Sequence, residues 1–289
     1  MSWVLKAAIV VLAAWFIHNK FIKKNDDLQN FQNSVANLNR DHVLFTLAAV
    51  AGLMLLNWFL EALKWQYVTR KLVDISRWQA IESVFCGLTW AIITPNRVGE
   101  YGGRIMFLPN RKRIHGLFAM IVGGLGQIMV TNVLGLTGAL WFIYNYVPMP
   151  PLYFWGIAIA FGGFLILLTL FYFNISLLVM LLNRVNFIKK YHRFFDIMAR
   201  YNTVELINIF WLSLARFAAF TVQYYLLIHL LLPEIHLLTI VMMVFTFLVV
   251  QSALPSLDIF DIGVRTFTAT ALFIKVTPHY IAVVACVSL

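Results

Sequence analysis

The apolar residues of this chain fall in long unbroken blocks, at about 3–22, 43–68, 79–94, 114–146, 152–182, 206–232, 237–254, 262–276 and 279–289. A helix needs roughly 20 such residues to cross a hydrocarbon core. Blocks 3–22, 43–68, 114–146, 152–182 and 206–232 meet that length. The blocks at 79–94, 237–254 and 262–276 are shorter or end in polar sequence, and 279–289 is too short to span. Only 12% of the residues are charged, against roughly 25% in soluble domains. The pattern predicts an all-α, polytopic integral membrane protein. Met1 to His18 has the look of a signal peptide, but Trp15 and Phe16 stand where small cleavage-site residues belong. It is read as a retained first span.

The net charge of +10 sits in short clusters between apolar blocks, as cytoplasmic loops do under the positive-inside rule. Arg70, Lys71 and Arg77 form one cluster, Arg111 to Arg113 a second, and Arg184, Lys189, Lys190, Arg193 and Arg200 a third. The uncharged turn 146–151 and the turn at Pro233-Glu234 are then external. The mixed loop 19–42 is placed outside by consistency with the rest. Nucleic-acid binding is excluded, because no stacking or phosphate-tracking surface accompanies the charge. Cys86 and Cys286 lie in apolar segments and show neither disulfide nor metal spacing, and the scattered histidines have no ligand spacing. No cofactor or metal is expected.

Residues 94–104 read Thr-Pro-Asn-Arg-Val-Gly-Glu-Tyr-Gly-Gly-Arg, directly after an apolar run. Lipid solvates neither loose backbone nor unpaired charge, so protein must bury this stretch or it must line a watery cavity. Pro95 ends the preceding helix. Gly99, Gly102 and Gly103 permit tight turns and close approach. Arg97 and Arg104 offer planar forks suited to phosphate oxygens, and Glu100 is expected to pair with one of them. The competing interpretation is a solvated cytoplasmic loop.

The second half holds Leu254-Pro-Ser-Leu-Asp-Ile-Phe-Asp-Ile-Gly-Val-Arg265. Pro95 and Pro255 are 160 residues apart, and Arg104 and Arg265 are 161 apart. Asn57 and Lys64 lie 159 residues before Arg216 and Gln223. Each half reads as a long helix with polar residues, a short apolar helix, X-Pro, about nine irregular residues, Gly-x-Arg and a short helix. With the loop charges above, the segments 79–110 and 237–276 should each enter the membrane and return, from opposite faces. The expected fold is a single transmembrane domain over 1–289. It is built from two inverted, re-entrant half-repeats at about 42–110 and 205–276, the arrangement of many transporters.

Asn57, Glu61, Lys64 and Trp65 share helical spacing in block 43–68. Glu61 and Lys64, at i,i+3, can pair on one face. Glu61 is expected to be buried, and Lys64 to snorkel toward the cytoplasmic end near Arg70. Arg216 lies mid-block, where an arginine is costly without a partner or a role, and Gln223 shares its face. Asp258 and Asp261 are candidates for binding a coupling proton or cation, as is Glu100; a wetted outer surface is the alternative for the two aspartates. Gly123-Gly-Leu-Gly126 sits in an apolar helix, without the strand-turn-helix setting of a nucleotide fingerprint. It is read as close helix packing.

Taken together, Asn57…Glu61…Lys64-Trp65, Thr94-Pro-x-Arg-x-Gly-Glu100, Arg216…Gln223 and Leu254-Pro255…Gly263-Val-Arg265 resemble one family. It is the flippase-like domain that forms the transmembrane part of lysylphosphatidylglycerol synthases and of stand-alone relatives. The resemblance spans nearly the whole chain, and the Thr-Pro-x-Arg-x-Gly-Glu string is its most specific part. It implies a lipid-handling domain that moves phospholipid or glycolipid between leaflets of a bacterial-type inner membrane. Two departures stand out. Asp258, Phe260 and Asp261 occupy what is usually a glycine-rich turn, and Thr266 stands where the family has a glutamate, so a coupling role there would fall to Asp261. No aminoacyl-transferase domain is expected, so lysyl transfer is not assigned to this chain.

The expected function is translocation of an anionic phospholipid or lipid-linked glycan. Arg97, Arg104, Arg216 and Arg265 would touch the headgroup, Asn57 and Gln223 would line the same site, and Glu61 and Glu100 would set the charge balance. The expected partner is membrane lipid, with a homo-oligomer left open. The alternatives are a membrane transferase using a lipid-linked substrate, which the lack of Asp-x-Asp and paired histidines disfavours, and a non-catalytic assembly partner in the cell envelope.

Overall fold

The computed structural model describes residues 39–94, 98–184, 192–254 and 258–277, together with 283, 284 and 286. Every regular element among them is helical. In order these are α1 (Arg40–Thr69), α2 (Arg77–Ile93), α3 (Val98–Ile105), α4 (Arg113–Tyr146), α5 (Pro151–Phe173), α6 (Ile175–Arg184), α7 (His192–Ala199), α8 (Thr203–Leu231), α9 (Leu237–Ala253) and α10 (Asp258–Phe273). α1, α4, α5 and α8 are long and apolar enough to cross a membrane. α2 and α9 have 17 residues each, which at 1.5 Å per residue is about 26 Å, short of a core about 30 Å thick. The span expected at 3–22 lies outside the described residues.

The structure corrects the sequence expectation in two places. Block 152–182 is not one helix. Asn174 breaks it, its backbone leaving helical geometry at φ −117° and ψ 55°. The polar stretches after Pro95 and Pro255 are also more regular than expected. Helix resumes at Val98 in the first and at Asp258 in the second.

The chain forms two compact units that interleave along the sequence. The central unit holds Met54–Leu134 and Met149–Phe220. The flanking unit holds the described residues up to Leu53, Gly135–Pro148, and those from Thr221 onward. Neither coincides with one of the half-repeats read from the sequence.

In the central unit Trp65, Val84, Ile175, Leu206 and Ile209 are fully buried in one apolar cluster. Several contacts bring helix ends together. Lys71 pairs with Glu205 at 2.7 Å. The Tyr201 hydroxyl donates to the Val68 carbonyl at 2.5 Å. Burial, with the Glu205 carboxylate nearby, holds that hydroxyl above the usual phenol range, so it stays a donor. Phe118 meets Phe195 edge to face at 4.7 Å, and Gln66 donates to the Ile75 carbonyl. The loops that carry Arg70 and Lys71, Arg111 to Arg113, and Arg200 therefore share one end of this unit, the grouping the positive-inside rule asks of cytoplasmic loops.

In the flanking unit Leu227, Ile228, Ile240, Met243, Phe247 and Phe273 make the core. α9 packs beside α10 and against α4, where Gly138 leaves room for the Met242 carbonyl. A Cβ on Gly138 would stand 2.7 Å from that oxygen.

Candidate functional site

α1 supplies Asn57, Glu61 and Lys64 at i, i+4 and i+7, one face of a helix. All three are buried, although they are polar. Glu61 lies eight residues before the end of α1, about 12 Å in at 1.5 Å per residue. Arg216 lies thirteen residues into α8, about 20 Å from its start by the same rise.

The second contribution comes from α2 and α3, and their local sequence explains how they meet. Pro95 stops α2, and Thr94 sits at its end in extended backbone, with φ −107° and ψ 137°. The Thr94 hydroxyl donates to the Trp90 carbonyl at 2.8 Å and accepts from the Gly99 amide at 2.7 Å. One side chain thus closes the carboxyl end of α2 and caps the amino end of α3. α3 then lies against α2 through facing glycines. A Cβ on Gly103 would come within 2.7 Å of the Gly87 Cα, and one on Gly87 within 2.9 Å of the Arg104 Cγ. This glycine contact is what lets Arg104 reach α1.

The charges converge on Glu61. Its Oε1 accepts from Arg104 Nη1 at 2.5 Å. Its Oε2 accepts from Lys64 Nζ at 2.9 Å and from Arg216 Nη1. Arg104 Nη2 also pairs with Glu100, one turn earlier on α3. Arg216 Nε donates to Asn57 Oδ1 at 2.9 Å, and Nη1 reaches Gln127 Oε1 on α4 at 3.4 Å. Two carboxylates thus face three cations. Pairing of this kind is what makes charge tolerable at such depth. The cations differ in access: the side-chain exposure of Arg216 is 16%, against 2% for Arg104 and 5% for Lys64.

A cavity of about 170 Å³ lies beside this cluster, lined among others by Glu61, Lys64, Arg104, Arg216, Glu100 and Gln127. It suits a small polar group and is too small for a whole lipid.

Five of the residues singled out from the sequence are therefore brought together: Asn57, Glu61, Glu100, Arg104 and Arg216. Glu100 pairs with an arginine as expected, and residues 98–104 form a helix that buries Gly103 and Arg104 while Val98, Tyr101 and Gly102 stay exposed. Lys64 departs from expectation. It does not snorkel: Glu61 holds it 2.9 Å away, and it lines the cavity with only 5% of its side chain exposed. Gln223 belongs to the flanking unit, where it donates to the Val50 carbonyl at 3.1 Å. Arg265 is half-buried on α10 in that same unit. Asp258 and Asp261 lie in the first turn of α10, and their side chains are outside the described residues, as is Arg97. Gln127 was not picked out from the sequence. Its signal was weak, because Gln127 is one of three amides in the apolar block 114–146, with Asn132 and Asn145. Among the described residues no group of His, Cys, Asp or Glu gathers as a metal site.

Neither a curated protein nor a solved structure matches the chain. A family of membrane domains does, and it is the one that the Thr94–Glu100 string resembles. Residues 3–288 match the lysylphosphatidylglycerol synthase TM region, and the chain belongs to that family.

Proposed function

We propose that this protein moves an anionic phospholipid or lipid-linked glycan between the leaflets of a bacterial-type inner membrane. Its family is one of membrane proteins in lipid metabolism or envelope function. The observation that carries the finer proposal is the single carboxylate, Glu61, shared by Lys64, Arg104 and Arg216 beside a cavity. In this account the headgroup occupies the cavity and the acyl chains stay in lipid. The headgroup anion competes with Glu61 for Arg216, the most accessible cation. Arg104 and Lys64 stay bound to Glu61 and keep the surroundings positive. Passage then needs no covalent step, only exchange of one ion pair for another of similar chemistry.

The test is transport of fluorescent phosphatidylglycerol by purified protein in vesicles. Arg216→Ala should slow transport at least about tenfold, the scale of losing one charge-assisted contact. Arg216→Lys should retain part of the rate. Equal rates for wild type and Arg216→Ala would remove the headgroup role. The same proposal takes the two half-repeats as inverted. Single cysteines placed at Arg111 and Glu234 should then react with an impermeant reagent from opposite sides, and labelling from one side would refute the inversion.

A further inference from the structure

Only one of the three cations around Glu61 can change its charge. The guanidinium groups of Arg104 and Arg216 keep theirs at any pH a protein meets. A lysine amine gives up its proton, in water near pH 10.4. Lys64 lines the cavity beside the carboxylate, and a polar cavity gives its proton a route to water. The charged and titratable groups that share this cavity are Glu61 from the same helix, Glu100, Tyr101 and Arg104 from α3, and Arg216 from α8. α4 adds only uncharged residues, Gln127 among them.

With Lys64 protonated, three cations meet two carboxylates, and one positive charge is left over. With Lys64 neutral the charges balance. A monoanionic headgroup therefore meets a complementary charge only in the protonated form. The geometry agrees. Lys64 and Arg216 donate to the same oxygen, Glu61 Oε2, whereas Arg104 holds Oε1. When Arg216 turns to a ligand, protonated Lys64 still covers Oε2. A neutral amine covers it poorly, and a buried carboxylate that loses its cation is costly. Protonated Lys64 thus frees Arg216, and neutral Lys64 locks Arg216 onto Glu61. We propose that Lys64 is the proton switch of this site: the anionic headgroup binds with Lys64 as an ammonium, and where the free site holds a neutral amine, binding takes one proton from water onto Nζ. The same proton returns to water when the headgroup leaves. This rests on the proposed lipid-handling role and adds a proton to it.

Calorimetry in detergent tests it, with short-chain phosphatidylglycerol as the probe between about pH 7 and pH 11, across the lysine range. The phosphodiester stays ionised throughout. Wild-type affinity should be level at the acid end and then fall by up to about tenfold per pH unit. About one proton should be taken up per lipid bound there, read from the heats in two buffers of different ionisation enthalpy. Lys64→Met leaves Glu61 paired with both arginines and should fold. It should bind about tenfold more weakly at pH 7, the loss of one favourable charge, and take up no proton. Lys64→Arg should bind with an affinity that no longer depends on pH. Tyr101→Phe should keep the alkaline fall, and a flat profile in that variant would assign the titration to the phenol and overturn the proposal. If Lys64→Met does not fold, proton uptake by wild type and by Tyr101→Phe decides. Level wild-type affinity up to pH 11 overturns the switch, as does the same alkaline fall in Lys64→Met or failure of wild type to bind at pH 7. Inorganic sulfate binding more tightly than the lipid assigns the site to a free anion and overturns the headgroup assignment. Vesicle transport separates the two ideas. Transport that keeps its alkaline fall in Lys64→Met removes the switch and leaves translocation standing. Proton-linked binding without transport supports the switch and removes translocation.

Discussion

The two units bury polar groups of different kinds. In the central unit the buried polar residues include Asn57, Glu61, Lys64 and Arg104. Among the described residues of the flanking unit, those classed as buried and polar are all threonines, such as Thr246, Thr266 and Thr270. A threonine hydroxyl can be satisfied within its own helix: Thr246 donates to the Met242 carbonyl at 2.8 Å, and Thr270 to that of Thr266 at 2.7 Å. A buried charge has no such local remedy and must find a partner on another element. Thr246 and Thr270 therefore need nothing outside their own helices. The charges tie α1, α3 and α8 together at one carboxylate, and that is where a polar ligand can be held.

The comparison makes substitutions in the two units unequal, and the largest effect belongs to the shared carboxylate. Glu61→Gln leaves Lys64, Arg104 and Arg216 buried around an uncharged amide. It should cost about 3–5 kcal/mol, the scale of breaking a buried pair, seen as a steep fall in thermal stability in detergent. A melting temperature within a few degrees of wild type would show that the cluster is wetted and would erase the contrast. Gly103→Val and Gly138→Val come next, one in each unit. Both force a side chain against backbone, at about 1–3 kcal/mol. Similar melting shifts are expected, but only Gly103→Val should also reduce lipid binding, because it displaces Arg104. If Gly138→Val reduced binding equally, polar function would not be confined to the central cluster. Thr94→Val removes the hydroxyl that joins α2 to α3 and should cost about 1 kcal/mol, as loss of a helix cap does. Thr246→Val should cost less than about 0.5 kcal/mol, because a same-shape swap removes only a local bond within one helix. Equal losses for these two threonines would mean that Thr94 does no more than Thr246.

The helices of the protein were legible because membrane spans are set by local sequence. The ends of α1, α4, α8 and α9 fall within a few residues of the apolar blocks. The short lengths of α2 and α9, and the stop before Pro95, follow from block length and from proline chemistry. The break at Asn174 was less visible, since one residue leaving helical geometry leaves no trace in hydropathy. The family was legible for a related reason. The Thr94–Glu100 string is dense in residues whose backbone or charge demands are unusual in lipid.

The cluster itself was half legible. Burying Glu61 and Arg216 without partners is so costly that their sequence alone required partners. Spacing along α1 also put Asn57, Glu61 and Lys64 on one face. Which partners they took was a tertiary decision. Arg104 reaches Glu61 because Gly87 and Gly103 let two backbones touch, and Lys64 stays in because Glu61 pairs with it. Gln127 joins through packing between α4 and α8. Hydropathy and helical period record what each segment can tolerate. Only the packed helices determine which charge lies within 3 Å of which, because electrostatic pairing at that range depends on distances between residues 43 and 155 positions apart in the chain.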